Sequence, residues 1–167
     1  MDIIKYPDPV LMKKAEPVHN IDENIQELIN NMSMLMYNAS GIGLAANQVG
    51  VAMRVIIFDI DYKSKGESLV TLINPVIKSA EETISLDEGC LSVPDFQGHV
   101  TRKKHLLVEG VDRHGNPVKI EAEDLQAVCI QHEIDHLNGT LIIDHVSHLK
   151  RSLYKRKIMK LMKKTRQ

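Results

Sequence analysis

At 167 residues, with 43% hydrophobic and 26% charged positions, the chain is long enough to bury a core without staples and is not compositionally disordered. Two cysteines exclude a disulfide framework and no apolar run approaches a membrane span. The opening MDIIKYPDPV lacks a signal peptide's basic and apolar regions, so a soluble protein in a reducing cytoplasm is expected.

The net charge of −1 conceals an asymmetry. Residues 145–167 hold nine Lys/Arg and no Asp or Glu, which leaves 12 basic against 22 acidic residues elsewhere, a formal −10. Such a tail suggests a partner of its own. With no Trp and two Phe, the core must rest on Leu, Ile, Val and Met. No repeat, low-complexity segment or Pro/Gly/Ser linker divides the chain, and one domain over 1–167 is expected.

PDPVLMKKA (7–15) opens a short helix, with Asp8 as N-cap and Pro9 at N1. IDENIQELINNMSMLMYNAS (21–40) is an amphipathic helix, because Ile21, Ile25, Leu28, Ile29, Met32, Leu35 and Met36 recur at the 3.6-residue period. SGIGLAANQVG (40–50), small and Gly-rich, reads as a loop. Strands are predicted over 54–60, 69–77, 82–88, 104–112 and 117–123, with DRHGNP as the turn between the last two. Asp124 caps a helix through LQAVCIQHEIDHLN, and Gly139 stands where a C′ glycine ends a helix. TLIID (140–144) is short and apolar. The chain closes on a basic helix over 147–167, with Leu149, Leu153, Ile158, Leu161 and Met162 as its apolar stripe. Strands in runs followed by helices indicate an α+β fold: antiparallel or mixed sheets packed around a central helix, with a C-terminal helix at 148–167.

The central helix carries QHEIDH. His132 and His136, four apart, leave one helical face and can grip one metal ion, with Glu133 placed as general base. A catalytic metal site ordinarily has three protein ligands and an open position. A His six residues past His136 would stand at Ile142, and no Glu follows Glu133. Asp144 or His145 downstream, and Cys90 in DEGCLSVP upstream, remain. A thiolate binds zinc-like or ferrous ions strongly, and Cys90 follows a predicted strand that can aim it at the helix. The chemistry favours Cys90 and leaves open a small metalloprotease with Asp144 as third ligand. Cys129, flanked by Val128 and Ile130, reads as a small buried hydrophobe.

GIGLAANQ (41–48), EGCLS (88–92) and QHEIDH (131–136), in this order, resemble the three signature motifs of the peptide deformylases. These metal-dependent hydrolases remove the formyl group from the N-terminal formylmethionine of new polypeptides. IIKYPDPVL near the start and HLNG after His136 extend the likeness over essentially the whole chain. The resemblance implies Cys90, His132 and His136 as ligands of one metal, usually Fe²⁺, with Zn²⁺, Ni²⁺ or Co²⁺ as substitutes. It implies Glu133 as acid and base, and the Gln48 side-chain amide and Leu91 backbone N–H as oxyanion donors. Ile42, Gly43, Gly89, Leu125, Val128, Cys129 and the His132 ring would bind the substrate, with Gly43 pairing to it as an added strand. Glu88 and Arg102 would form a buried pair bracing the Cys loop, while Asp135 either joins a ligand loop or faces solvent. Gln97 stands where many members carry an Arg, so the grip beyond the first residue is expected to differ. The family's basic C-terminal helix implies docking on the ribosome through Lys150–Lys164, by a monomer with no membrane attachment.

Overall fold

The computed structural model describes residues 1–61 and 66–165. Asp8 begins a 3-10 turn at Pro9–Met12 by accepting the Val10 N–H at 2.9 Å, so the predicted first helix is a single tight turn. Helix α1 spans Glu23–Asn38, capped by Asp22, which accepts the Ile25 N–H at 3.1 Å. Its buried face is Ile25, Leu28, Ile29, Met32 and Met36, the core of the predicted stripe.

Seven strands follow: β1 (Gly43–Ala45), β2 (Val55–Phe58), β3 (Val70–Glu81), β4 (Ile84–Cys90), β5 (Val93–Arg102), β6 (His105–Val111) and β7 (Pro117–Glu123). Antiparallel pairing builds a five-stranded sheet in the order β1-β2-β3-β6-β7 and a separate β4-β5 hairpin. Helix α2 (Asp124–Leu137) follows directly, and α3 (His148–Thr165) ends the described chain. The α+β architecture is as expected.

The sheet is covered on both faces. Ile56, Phe58, Leu72, Leu106 and Val108 pack with Ala127, Ile130, Ile134 and Leu137 of α2. Val55, Ile57 and Ile73, whose side chains alternate to the opposite face, pack with α1. A third cluster joins Val93, Phe96 and Val100 of β5 to Leu11, Leu141–Ile143, Tyr154 and Ile158. Helix α2 therefore runs through the centre, with the large sheet on one side and the hairpin near its other. Its end is a Schellman motif: Gly139, at φ +73°, donates to the His136 carbonyl and Thr140 to that of Asp135. A Cβ on Gly139 would stand 2.5 Å from the Met12 carbonyl oxygen, so close packing as well as φ demands glycine.

Four expectations need correction. The loop read at 40–50 contains strand β1 and a 3-10 turn at Ala46–Val49, all buried. Its short, small-residue sequence carries no strand signal, and the neighbouring β2 supplies the pairing. β5 went unread because its alternating inward positions are Phe96, Gly98, Val100 and Arg102, a pattern that a glycine and a cation mask. Asp124 does not cap α2; it is the first helical residue, at φ +47°, and its N–H donates to the Lys104 carbonyl. The stripe assigned to α3 holds only at Ile158, which is buried: Leu149 and Leu153 are 66% and 53% exposed, and Tyr154, outside the stripe, is buried in their place. The aromatic edge of β5 decides that face. Tyr154 meets Phe96 edge-on at 4.9 Å and donates its hydroxyl to the Pro94 carbonyl at 3.0 Å.

Candidate metal centre

Along β4 the side chains of Leu86, Glu88 and Cys90 alternate onto one face, and the chain turns back immediately after Cys90. That turn brings the thiol against the His132/His136 ridge of α2. One sulfur and two imidazole nitrogens lie within 4.8 Å of one another, the one cluster of three such ligands among the described residues. Cys90 Sγ is 3.3 Å from His136 Nε2, and the two rings stand 5.1 Å apart at 70°.

Neighbouring groups orient this set. His132 Nδ1 is 2.9 Å from Glu88 Oε2, which leaves Nε2 to face the cluster. Arg102 grips Glu88 through two nitrogens, at 2.8 and 3.0 Å, and also bonds Asp135, whose Oδ2 lies 2.7 Å from His145 Nε2. Asp135 thus faces neither open solvent nor the ligand loop directly; it anchors Arg102. A continuous chain, His145–Asp135–Arg102–Glu88–His132, links the surface to the cluster. Each buried charge in it is paired, the condition under which burying an ion pair is tolerated.

Electrostatics follow from burial and these partners. Burial alone would raise the Glu88 carboxyl, but bonds from His132 and Arg102 reverse that and hold it at about 2. Burial pushes Glu133 up to about 7, and pushes the Cys129 thiol well above its ordinary range. Burial keeps His136 neutral, as a metal ligand must be. For His132 burial works the same way, but Cys90 and Glu88 outweigh it and favour a positive charge at the ring. The same negative surroundings favour a divalent cation there. The donor set of one thiol and two imidazoles fits a borderline ion. Glu133 Oε2 is buried without a hydrogen-bond partner among the described residues, an acceptor left free beside the cluster.

The cluster lies at the floor of a cavity of about 780 Å³. Ile42, Gly43, Gln48, Gly89, Leu91, Leu125, Val128, Cys129 and Glu133, each named from the sequence, all line it. His136 lies beneath, 1% exposed. Among the glycines lining the cavity, Gly43 permits the tightest approach: a Cβ there would stand 2.6 Å from Glu133 Oε1 and 2.8 Å from Cys129 Sγ. Gln48 is buried, with Oε1 accepting the Ala45 N–H at 2.9 Å and Nε2 turned to Ser92 Oγ at 3.2 Å and Cys90 Sγ at 3.7 Å. Gln97 is exposed on the lining.

Asp144, the other candidate third ligand, is elsewhere. It accepts the Leu141 N–H and pairs with Arg151 at 2.8 Å, while His145 is taken by Asp135. Sequence reading overlooked Leu86 and Ser92. Leu86 was accessible through the period-2 spacing to Glu88 and Cys90; Ser92 stands inside the EGCLS motif, but its bond to Gln48 is remote in sequence and has no local signature.

Comparison with known proteins agrees with this geometry. The polypeptide deformylase family model matches residues 1–152. The chain is 50% identical to a peptide deformylase of Thermodesulfovibrio yellowstonii over 157 residues, 94% of this chain and 95% of the other. A crystal structure of a peptide deformylase from Legionella pneumophila superposes with a TM-score of 0.89 at 42% identity, covering 99% of this chain and 97% of that one. One from Synechococcus elongatus, in complex with actinonin, gives 0.88 at 38% identity, over 94% and 86%. Three side chains able to hold a metal converge under a cavity with a buried Glu beside them, and with likeness over nearly the full length they lead to one conclusion: this chain belongs to the polypeptide deformylase family.

Proposed function

We propose that the chain hydrolyses the N-formyl amide of formylmethionyl peptides at the Cys90/His132/His136 cluster, releasing formate. The observation that carries this is the convergence of those three ligands within 4.8 Å beside the unpartnered Glu133 carboxyl. The native ion is Fe²⁺, with Zn²⁺, Ni²⁺ or Co²⁺ able to substitute. Such a divalent ion lowers the pKa of water from 15.7 toward about 7 and polarises a carbonyl.

The protein's own groups do the rest. Glu133 Oε2 takes a proton from the attacking water and delivers it to the departing amine nitrogen. Gln48 Nε2 and the Leu91 backbone N–H donate to the formyl oxygen as charge gathers on it. Each such donor contributes roughly 3–4 kcal/mol of barrier lowering in comparable sites. Ile42, Leu125, Val128 and Cys129 enclose the methionine side chain, worth about 1.5–3 kcal/mol of apolar burial. Gly43 and Gly89 leave backbone open for strand pairing with the peptide.

The test is selectivity at the acyl group. Formyl-Met-Ala-Ser should be turned over, and acetyl-Met-Ala-Ser about 10²-fold more slowly, because the extra methyl must enter a cramped site, in which even a Cβ on Gly43 would crowd Glu133. Equal rates on both would sink the assignment.

The helix α3 is the ribosome contact, and the enzyme works in the cytoplasm. Lys155, Arg156, Lys157, Lys160, Lys163 and Lys164 are all exposed, a stripe suited to RNA phosphates. No helix among the described residues is long and apolar enough to cross a membrane. Removing α3 outright would uncover Phe96 and Leu11, so charge reversal in the full chain is the cleaner probe. The triple variant Arg156→Glu, Lys160→Glu, Lys163→Glu should no longer cosediment with ribosomes while hydrolysing free peptide normally. Undiminished pelleting would dismiss the contact.

A further inference from the structure

The segment before the first turn is stitched across the two chain segments that carry the oxyanion donors. The Ile4 N–H donates to the Gln48 carbonyl at 2.8 Å, and the Tyr6 N–H to the Ser92 carbonyl at 2.8 Å. Between them, the Lys5 ammonium donates to the Leu91 carbonyl. Among the described residues Lys5 makes no ion pair; its charge is directed at a main-chain oxygen beside the reactive centre. Side chains reinforce the seam. Ile4 Cδ1 lies against Gly50, where a Cβ would approach to 3.0 Å, and the Tyr6 ring stands 6.0 Å from Tyr154. Gln48 and Ser92 are themselves joined, Nε2 to Oγ, at 3.2 Å.

We propose that Ile4–Tyr6 is a strap that positions the oxyanion donors, with Lys5 as its active side chain. The inference rests on reading Gln48 and Leu91 as those donors. A charge-assisted bond to a carbonyl is stronger than a neutral one. By pinning the Leu91 carbonyl, Lys5 restricts rotation of the Leu91 backbone, and so fixes its N–H relative to the Gln48 amide. Donors of this kind work only when held in place beforehand, and displacement by about 1 Å costs on the order of 10²-fold in rate. The methionine pocket is formed by Ile42, Leu125, Val128 and Cys129, none of which touches the strap in the contacts above. Lys5 is therefore a positioning residue, expected to act on kcat and not on KM.

The experiment compares full-length, metal-loaded wild type with Lys5→Met, Lys5→Arg and the control Lys14→Met, which removes an exposed cation outside the strap. Kinetics on formyl-Met-Ala-Ser are paired with metal content, melting temperature and amide hydrogen exchange of the 88–93 segment. Lys5→Met should lose about tenfold in kcat with KM within about twofold, exchange faster over 88–93, and keep its metal and melting temperature. Lys5→Arg should recover most of the rate, and Lys14→Met should match wild type. A Lys5→Met protein with wild-type kcat and exchange overturns the strap. So does one whose lost rate comes with lost metal or a lower melting temperature. A wild type inert on the formyl peptide overturns the deformylase reading instead, and the exchange comparison then still decides whether Lys5 orders Leu91.

Discussion

The Cys90→Ala protein is expected to lose its metal while keeping its fold. Without the thiolate, only the His132 and His136 imidazoles remain, and two ligands on one helical face do not hold a catalytic ion. Asp144 cannot substitute, because Leu141 and Arg151 occupy its carboxylate. Cys90 is only partly buried at a strand end, and the groups around it, Gln48 and Glu88, have partners of their own. Deleting the sulfur should therefore cost stability only on the order of 1 kcal/mol. Elemental analysis of anaerobically purified protein should find about one ion per chain in wild type and on the order of a tenth or less in the variant. Hydrolysis of a formyl peptide should fall by at least about 10⁴-fold, since neutral water is left as the nucleophile. A variant that retained a full complement of metal would refute the ligand set.

Glu133→Gln separates proton transfer from metal binding. Glutamine has nearly the same shape, so the close approach of Gly43 and Cys129 is preserved. It has no carboxylate to accept a proton. The rate constant for formyl-peptide hydrolysis should drop about 10²–10⁴-fold, the range associated with a positioned general acid and base. Metal content should be unchanged, because Glu133 is not in the ligand cluster. Stability should hold or rise, since burying an unpartnered ionised carboxylate is unfavourable and the neutral amide removes that penalty. Wild-type turnover in Glu133→Gln would remove this residue from the reaction; loss of metal would move it into the coordination sphere.

The bracing chain behind His132 shows why these two effects stay separate. Arg102 is shared between Glu88 and Asp135, so the His132 ring is oriented through its Nδ1 by a chain of bonds that does not include the Glu133 carboxyl. On the proposed mechanism, orientation and proton transfer thus fall to different residues. The strap proposed at Lys5 would add a separate support, through main-chain bonds to Gln48, Leu91 and Ser92.

Much of this was legible from residue order, and the division follows the range of the interactions. The relation of His132, Glu133 and His136 is local: helical periodicity alone puts both rings on one ridge. The stripe of α1, the turn at Asp8 and the Gly139 stop are local too, set by side chains within a turn or so of where they act. The family resemblance also pointed to Cys90 as the third ligand, which the structure places beside that ridge, and to Gln48 and Leu91 as oxyanion donors. What no local rule contains is the meeting of a thiol at the end of β4 with a helix some forty residues later, a matter of how hairpin and helix pack. The same holds for Arg102 bridging Glu88 to Asp135. The buried cation broke the alternation that would have revealed β5. The inward face of α3 likewise depended on aromatic groups of a remote strand. Chain order determined which groups are chemically capable and which share a helical face; only tertiary packing decided which of them meet, because contacts distant in sequence depend on the whole fold's burial and leave no periodic trace in any one segment.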